Sequence, residues 1–473
     1  MDTLLAEIAA VVGAANVLTG ADVAARCVDW MSGAPCRAGA IVRPADTGEL
    51  AATMRLCHAA RQPVVTHGGL TGLVHGAEAT PDEIAISLER MTAIEAVDPV
   101  GGSLTVQAGA PLQKVQEAAE AVDRQFALDL GARGSCTIGG NIATNAGGIR
   151  VIRYGMMRQQ VLGLEAVLAD GSVISSMNRM LKNNAGFDLK QLFIGSEGTL
   201  GIVTRAVLRL QPPTPDVRTA LVACPSFAAL TGLLAHMGQA LGGSLAAFEV
   251  MWQSHYRLLT EESGRHTPPL VTDAPFYVIL ESLGTDPQSH AGQFSTALET
   301  ALERELIADA VLAHSDAQRR GLWAIREDIE GLIEALAPLF TFDVSLPIPE
   351  MAAYVDTLER ALARDRPGAS MVTFGHLGDG NLHISIGAGS ADADTRRAVE
   401  QLVYAPLAPL GGSISAEHGI GLEKRAYLGL SRSAEEIALM HALKQALDPH
   451  GLLNRYKVLA PEADPAPATE TRP

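Results

Sequence analysis

Aromatic side chains are scarce in this chain, at 4% of 473 residues, and no basic stretch has aromatics interleaved through it. The charge balance points the same way. With a formal net charge of −17 and a pI near 5.2, nothing offsets repulsion from a phosphate backbone, which excludes a nucleic-acid surface. Cysteine is also sparse. Cys27, Cys36, Cys57, Cys136 and Cys224 form no C-x-x-C pair, and an odd, scattered set fits packing residues in a reduced compartment better than a disulfide framework. No run is long enough to span a bilayer, and MDTLLAEIAAVVGAANV carries Asp2 and Glu7 where a leader would be basic, so the expectation is a soluble, cytoplasmic protein. Two nucleotide-binding signatures are missing too. Neither G-x-G-x-x-G after a strand nor G-x-x-x-x-G-K-[ST] occurs, so the Rossmann and Walker modes lack support.

What is present is a globular composition, 47% hydrophobic, in a chain long enough for two or three domains. GAIVRP, ELAATMRLCHAA and PVVTHGG read as strand, helix, strand and glycine-rich loop. A helix is expected from Pro111, with Leu112, Val115, Ala119 and Val122 on one face, and LGLEAVLADGSVISS reads as a hairpin turning at Asp170-Gly171. The three prolines of QPPTPD, 211 to 216, mark a boundary. Beyond it, QFSTALETALERELIADAVL and AAYVDTLERALAR read as helices, and FYVILES and LFTFDVSLPI as strands. The fold class is α+β, divided into 1–215, 216–410 and a C-terminal helical segment 411–461. The proline- and alanine-rich end, 462–473, is expected to be disordered.

Two glycine-rich loops suit close approach by a nucleotide, because glycine has no Cβ to obstruct backbone N–H groups. One is His67-Gly68-Gly69-Leu70-Thr71-Gly72-Leu73. The other, LGARGSCTIGGNIATNAGG, holds Gly131, Gly134, Gly139, Gly140, Gly147 and Gly148, with Ser135, Asn141, Thr144 and Asn145 among them. A glycine-rich loop is a weak signal by itself, and plain turn chemistry is the better explanation of either loop alone. GHLGDGNLH, 375 to 383, sets His376 and His383 on either side of Gly378-Asp379-Gly380. It reads as a tight turn with histidines at the strand ends, or as two ligands of a metal whose third ligand lies elsewhere.

LDLGARGSCTIGGNIATNAGG, then RYG, VLGLEAVLADGSV and DLKQLFIGSEGTLGIVT closely resemble the FAD domain of the D-2-hydroxyglutarate dehydrogenase group, within the vanillyl-alcohol-oxidase-like flavoproteins. GHLGDGNLH, AEHGIG and LLNRYK resemble the second half of the same family, so the likeness runs from about residue 40 to 460. Relatives sharing these blocks include D-lactate dehydrogenases and glycolate-oxidising subunits. The resemblance implies a two-subdomain FAD-binding domain of the PCMH type, an α+β cap over the isoalloxazine and a C-terminal segment returning to the flavin. The glycine loops would hold the pyrophosphate, with Glu197, Gly201 and Ile202 toward the adenine and Asn184 and Asn454 near the flavin. Where some members of this fold tether FAD through a histidine after the paired glycines, this chain has Leu70, so non-covalent FAD is expected.

The resemblance also supplies Glu417, in AEHGIG, as the third ligand of a His376, His383, Glu417 site; zinc suits it, and manganese and iron are compatible. A 2-hydroxy acid would chelate that metal through hydroxyl and carboxylate, His418 would take the hydroxyl proton, and Arg326 in LWAIRED would bind substrate carboxylate. A surface ion pair of Arg326 with Glu330 is the plainer alternative. Three departures bear on substrate: Glu330 stands where the hydroxyglutarate group tends to carry threonine, Thr341 where it carries lysine, and Ser385 where it carries asparagine. Losing a lysine and gaining a glutamate disfavours a second carboxylate, so D-2-hydroxyglutarate and a monoacid such as D-lactate both stand. A flavin oxidase using oxygen, and a non-catalytic subunit of a glycolate-oxidising complex, are the alternative functions. An electron-transferring flavoprotein, a quinone or a cytochrome fits as acceptor, and a homodimer is the base-rate assembly.

Overall fold

The opening strand, helix and strand form where the pattern puts them. Ala40–Val42 and Val64–His67 are short apolar strands, and Thr47–Ala59 between them is a helix whose cap, Asp46, accepts from the Glu49 N–H. That helix turns Leu50, Met54 and Cys57 into the core. Both strands run parallel to Ile84–Ser87, and Val17–Leu18 closes the edge of this four-stranded sheet. The computed structural model describes residues 1–29 and 33–461, so the tail expected to be disordered, 462–473, lies outside the described residues.

A five-stranded antiparallel sheet follows, in the order Val173–Ser176, Val161–Val167, Ile202–Arg209, Ser103–Gln107, Ile94–Asp98. Its first hairpin turns at Asp170-Gly171, where Gly171 adopts φ +79°. The helix expected from Pro111 spans Leu112–Glu120 and buries Leu112, Val115 and Ala119. Pro111 itself is the extended cap (ψ 142°) rather than the first helical residue.

The chain divides into two compact units: 1–148, 155–213 and 417 onward form one, and 149–154 with 214–416 the other. The prolines of QPPTPD fall at this division. In the first unit the C-terminal segment is woven into the parallel sheet's neighbourhood: Leu453 bridges to Val64, and the Asn454 side chain accepts from the Thr66 N–H and donates to the Glu197 carbonyl.

The second unit is built on a seven-stranded sheet ordered Asp309–Leu312, Asp216–Cys224, Phe276–Gly284, Leu245–Trp252, Ser370–His376, Asn381–Gly387, Leu339–Ser345. Every pairing is antiparallel. The long helix expected across 293–312 stops at Glu303, and its last stretch becomes the edge strand. Pairing of Asp309–Leu312 with Ala220–Ala223 satisfies backbone groups that local helix propensity could not weigh. Helices Phe227–Leu241 and Pro287–Glu303 pack on each other and on the 216–224 and 276–284 strands. Leu221, Met251, Ile279, Val372 and Phe374 instead share a core with Trp323 and Ile325 of the helix Asp316–Glu327. Among the described residues, no helix is long and apolar enough to cross a membrane.

Candidate active site

Strand alternation decides which polar groups share a face in the second unit. Phe374 is paired with Met251 on one side and His383 on the other, His376 with Glu249, Asp343 with His383, and Thr341 with Ser385. Directly opposed residues project to the same side, so Glu249, His376, His383, Asp343, Thr341 and Ser385 all belong to one face of the sheet. The Gly-Asp-Gly turn makes the two histidines neighbours: Leu377–Asp379 coil tightly, Gly380 takes φ +86°, and the imidazole centroids stand 5.2 Å apart. A nitrogen from each ring lies within 4.8 Å of one from the other.

Behind this pair lies a carboxylate. Glu249 is fully buried; its Oε1 accepts from His376 Nδ1 at 2.7 Å, and its Oε2 from Arg326 Nη2 at 2.9 Å and Nε at 3.2 Å. Burial opposes its ionisation, yet His376 and Arg326 outweigh that and hold the carboxyl below its ordinary value. Arg326 is itself buried, with its guanidinium 4.6 Å from the centre of the Phe374 ring. The surface ion pair with Glu330 does not form. Asp328 ends one helix and caps the next, which leaves Glu330 at 81% side-chain exposure and nearest Arg265. Of the remaining substrate candidates in this unit, Thr341 is exposed and Ser385 buried.

Asp343 serves the other histidine's side. Its carboxylate accepts from Asn381 Nδ2 at 2.9 Å, the Ala416 N–H at 3.1 Å and Ser415 Oγ at 3.3 Å, and lies 4.0 Å from His383 Nδ1. It therefore staples to the sheet the last residues of this unit, immediately before Glu417 in the chain.

In the first unit the two glycine loops meet. A Cβ on Gly68 would lie 2.8 Å from Thr137 Oγ1, one on Gly69 2.2 Å from the Ser135 carbonyl, and one on Gly139 2.8 Å from the Ala108 methyl. Gly72 and Gly131 face open space, and Gly134 is exposed along with Ser135, so this backbone can be approached. Thr71, Leu73 and Gly140 are half-buried beside them, and Gly147 is buried. Asn141 is buried, Thr144 Oγ1 donates to the Gly140 carbonyl, and Asn145, at φ +50°, accepts from the Arg158 N–H. A cradle of backbone that no side chain could fill is what a pyrophosphate needs.

The other positions are placed differently. Gly148, at φ +92°, donates its N–H to Glu417 Oε1 at 2.7 Å, and Glu417 and His418 are both half-buried. Glu197, at φ +52°, accepts from the Ile420 and Gly421 N–H groups; burial nonetheless pushes its carboxyl upward. Gly201 packs on the Phe193 ring, Ile202 points into the core, and Asn184 lies in an exposed loop. His67 is buried with Nε2 2.9 Å from the Ala77 carbonyl, and burial pulls its pKa down to about 4.

Three residues that organise this face, Glu249, Asp343 and Glu281, were not singled out from the sequence. Each is a lone acid inside an apolar strand, LAAFEVMW, LFTFDVS and FYVILESLG, and a buried carboxylate requires partners; that signal was legible. Glu281 finds Thr219 and Trp323.

Two family models match the chain. Residues 38–176 match the FAD binding domain model and 214–458 the FAD linked oxidases, C-terminal domain model. The chain is 41% identical over 438 residues to "D-2-hydroxyglutarate dehydrogenase, mitochondrial" of Bos taurus, covering 92% of this chain and 79% of that one. It is 42% identical over 426 residues to "D-2-hydroxyglutarate dehydrogenase" of Xanthomonas citri pv. viticola, covering 89% of each. Among solved structures, substrate-bound p-cresol methylhydroxylase superposes with a TM-score of 0.76 over 98% of both chains at 15% identity, which shows the shared fold. The name of the Bos taurus relative overturns the cytoplasmic expectation: acidic residues near the start report on those residues, not on the protein's destination.

Proposed function

The chain belongs to the FAD-dependent D-2-hydroxy acid dehydrogenases of the FAD-linked oxidase family, and from that premise we propose that it oxidises D-2-hydroxyglutarate with His376, His383 and Glu417 holding a divalent metal. One observation carries the reading: two histidines on one sheet face, the first oriented by a buried carboxylate that also grips Arg326. Two imidazoles and a carboxylate suit zinc, and manganese and iron as well, and leave positions for substrate.

FAD held in the glycine-loop cradle would supply a hydride acceptor, and a divalent metal held by His376, His383 and Glu417 would supply a Lewis acid for the substrate hydroxyl. The chain's own groups do the rest. The backbone at Gly68, Gly69, Gly72 and Gly131 receives the pyrophosphate of a non-covalently held FAD, Leu70 standing where a tethering histidine would be. Arg326 binds a substrate carboxylate, and His418 takes the hydroxyl proton as the C–H bond breaks. The electrons then leave to an electron-transferring flavoprotein, a quinone or a cytochrome.

One observation favours a second reading. Thr341 is neutral on the site face and offers a distal carboxylate no cation, so a monoacid such as D-lactate loses less there than a dicarboxylate. A panel of D- and L-2-hydroxy acids, followed anaerobically by flavin bleaching with and without chelator, ranks the substrates. Bleaching by D-acids alone, lost with chelator and slow to reverse in air, is expected. Glu417→Ala should lose bleaching while remaining yellow; normal turnover by that variant would remove the metal assignment.

A further inference from the structure

Glu249 does two jobs with one side chain. Its Oε1 lies 2.7 Å from His376 Nδ1, and accepting that N–H makes Nε2 the nitrogen that can ligate and fixes the imidazole plane. Its Oε2 receives two N–H groups of Arg326, Nε and Nη2, from one edge of the planar fork. The residues come from strands Leu245–Trp252 and Ser370–His376 and the helix Asp316–Glu327, 77 and 127 positions apart along the chain, and all three are buried. Phe374, two residues before His376, closes the other side of Arg326, so the guanidinium is held between a carboxylate and an aromatic face. A carboxylate that only neutralised a buried arginine would have no reason to divide its oxygens between that arginine and a histidine.

We propose that Glu249 is a positioning residue that couples the metal to the substrate anion site, setting the ligating nitrogen of His376 and the direction of the Arg326 fork together. This rests on the metal and substrate roles given above to His376 and Arg326. The acid acts through His376, which would hold the metal, and Arg326, which would bind the substrate carboxylate. Removing its charge while keeping its shape leaves the strand pairing intact but sets an amide N–H₂ against the donors of either Arg326 or His376. One of the two orientations is then lost whichever way the amide turns.

Glu249→Gln is the test, measured on flavin-loaded protein whose absorbance ratio matches the parent. Competition against a graded series of chelators gives zinc and manganese affinity, and steady-state kinetics separate KM from kcat. The expected result is metal affinity reduced by about 10–100-fold together with a raised KM for the 2-hydroxy acid and unchanged flavin content. Parent-like metal affinity and parent-like KM in that variant would overturn the proposal. If the parent itself binds no metal, the metal reading above fails on its own, and KM decides the Glu249 role: unchanged overturns it, raised upholds the Arg326 half. Should Glu249→Gln not accumulate as a flavoprotein, Glu249→Asp keeps the charge but shortens the reach to both His376 and Arg326, and the same two readouts apply with the same signs.

Discussion

Gly69 and Ser135 meet backbone to backbone, so closely that a methyl group on Gly69 would lie 2.2 Å from the Ser135 carbonyl oxygen. Gly69→Ala must therefore push the two glycine loops apart. Overpacking of this kind costs about 1–3 kcal/mol where the neighbour is flexible, and here it is main chain. The variant is expected to purify with little flavin and a lowered Tm, read from the visible-to-ultraviolet absorbance ratio and a thermal melt. Full flavin content would show that the loops yield and that the close fit is incidental.

Thr341 stands opposite Ser385 on the polar face of the sheet and is exposed, so a longer side chain has room there. Thr341→Lys should raise kcat/KM for D-2-hydroxyglutarate relative to D-lactate by about tenfold, the equivalent of roughly 1.4 kcal/mol for one added charge contact. Parallel kinetics on the two acids measure it. An unchanged ratio would place Thr341 away from the distal carboxylate.

His67 is held neutral by burial, its pKa drawn from 6.5 to about 4, with Lys457 and Arg26 adding to the effect. Between those values the unfolded chain takes up a proton that the folded chain refuses, so stability falls as pH drops through this window and is fully present above it. The loss amounts to at most about 1.4 kcal/mol per pH unit. Denaturant midpoints from pH 7.5 to pH 4.5 should slope less steeply in His67→Gln than in the parent. Identical slopes would mean that other groups govern the acid limb.

How much of this was readable beforehand depends on range. The His376 to His383 hairpin and the Asp170-Gly171 turn are local events, and their residues declare them. The edge strand Asp309–Leu312 was hidden inside a helical pattern, because what makes it a strand is a backbone partner nearly a hundred residues earlier. Arg326 was legible as a candidate but not its partner: helical spacing pointed to Glu330, whereas burial, which no spacing reveals, delivered it to Glu249. Asp343 was legible as a lone acid in an apolar strand but its partners were not, since its purpose, fastening Ser415 and Ala416, is tertiary.

The tie between Val64 and Leu453, with Asn454 fastening Thr66 to Glu197, has a bearing on how the molecule is made. During translation the middle unit has all of its chain before the first unit does, so the piece that starts emerging earliest finishes last. Until Leu453 and Asn454 have been made, one flank of that nascent sheet waits without its final partner, an opening for chaperones and for misassembly alike. A nonsense codon upstream of Leu453 would thus spoil the sheet whose strands were made long before it.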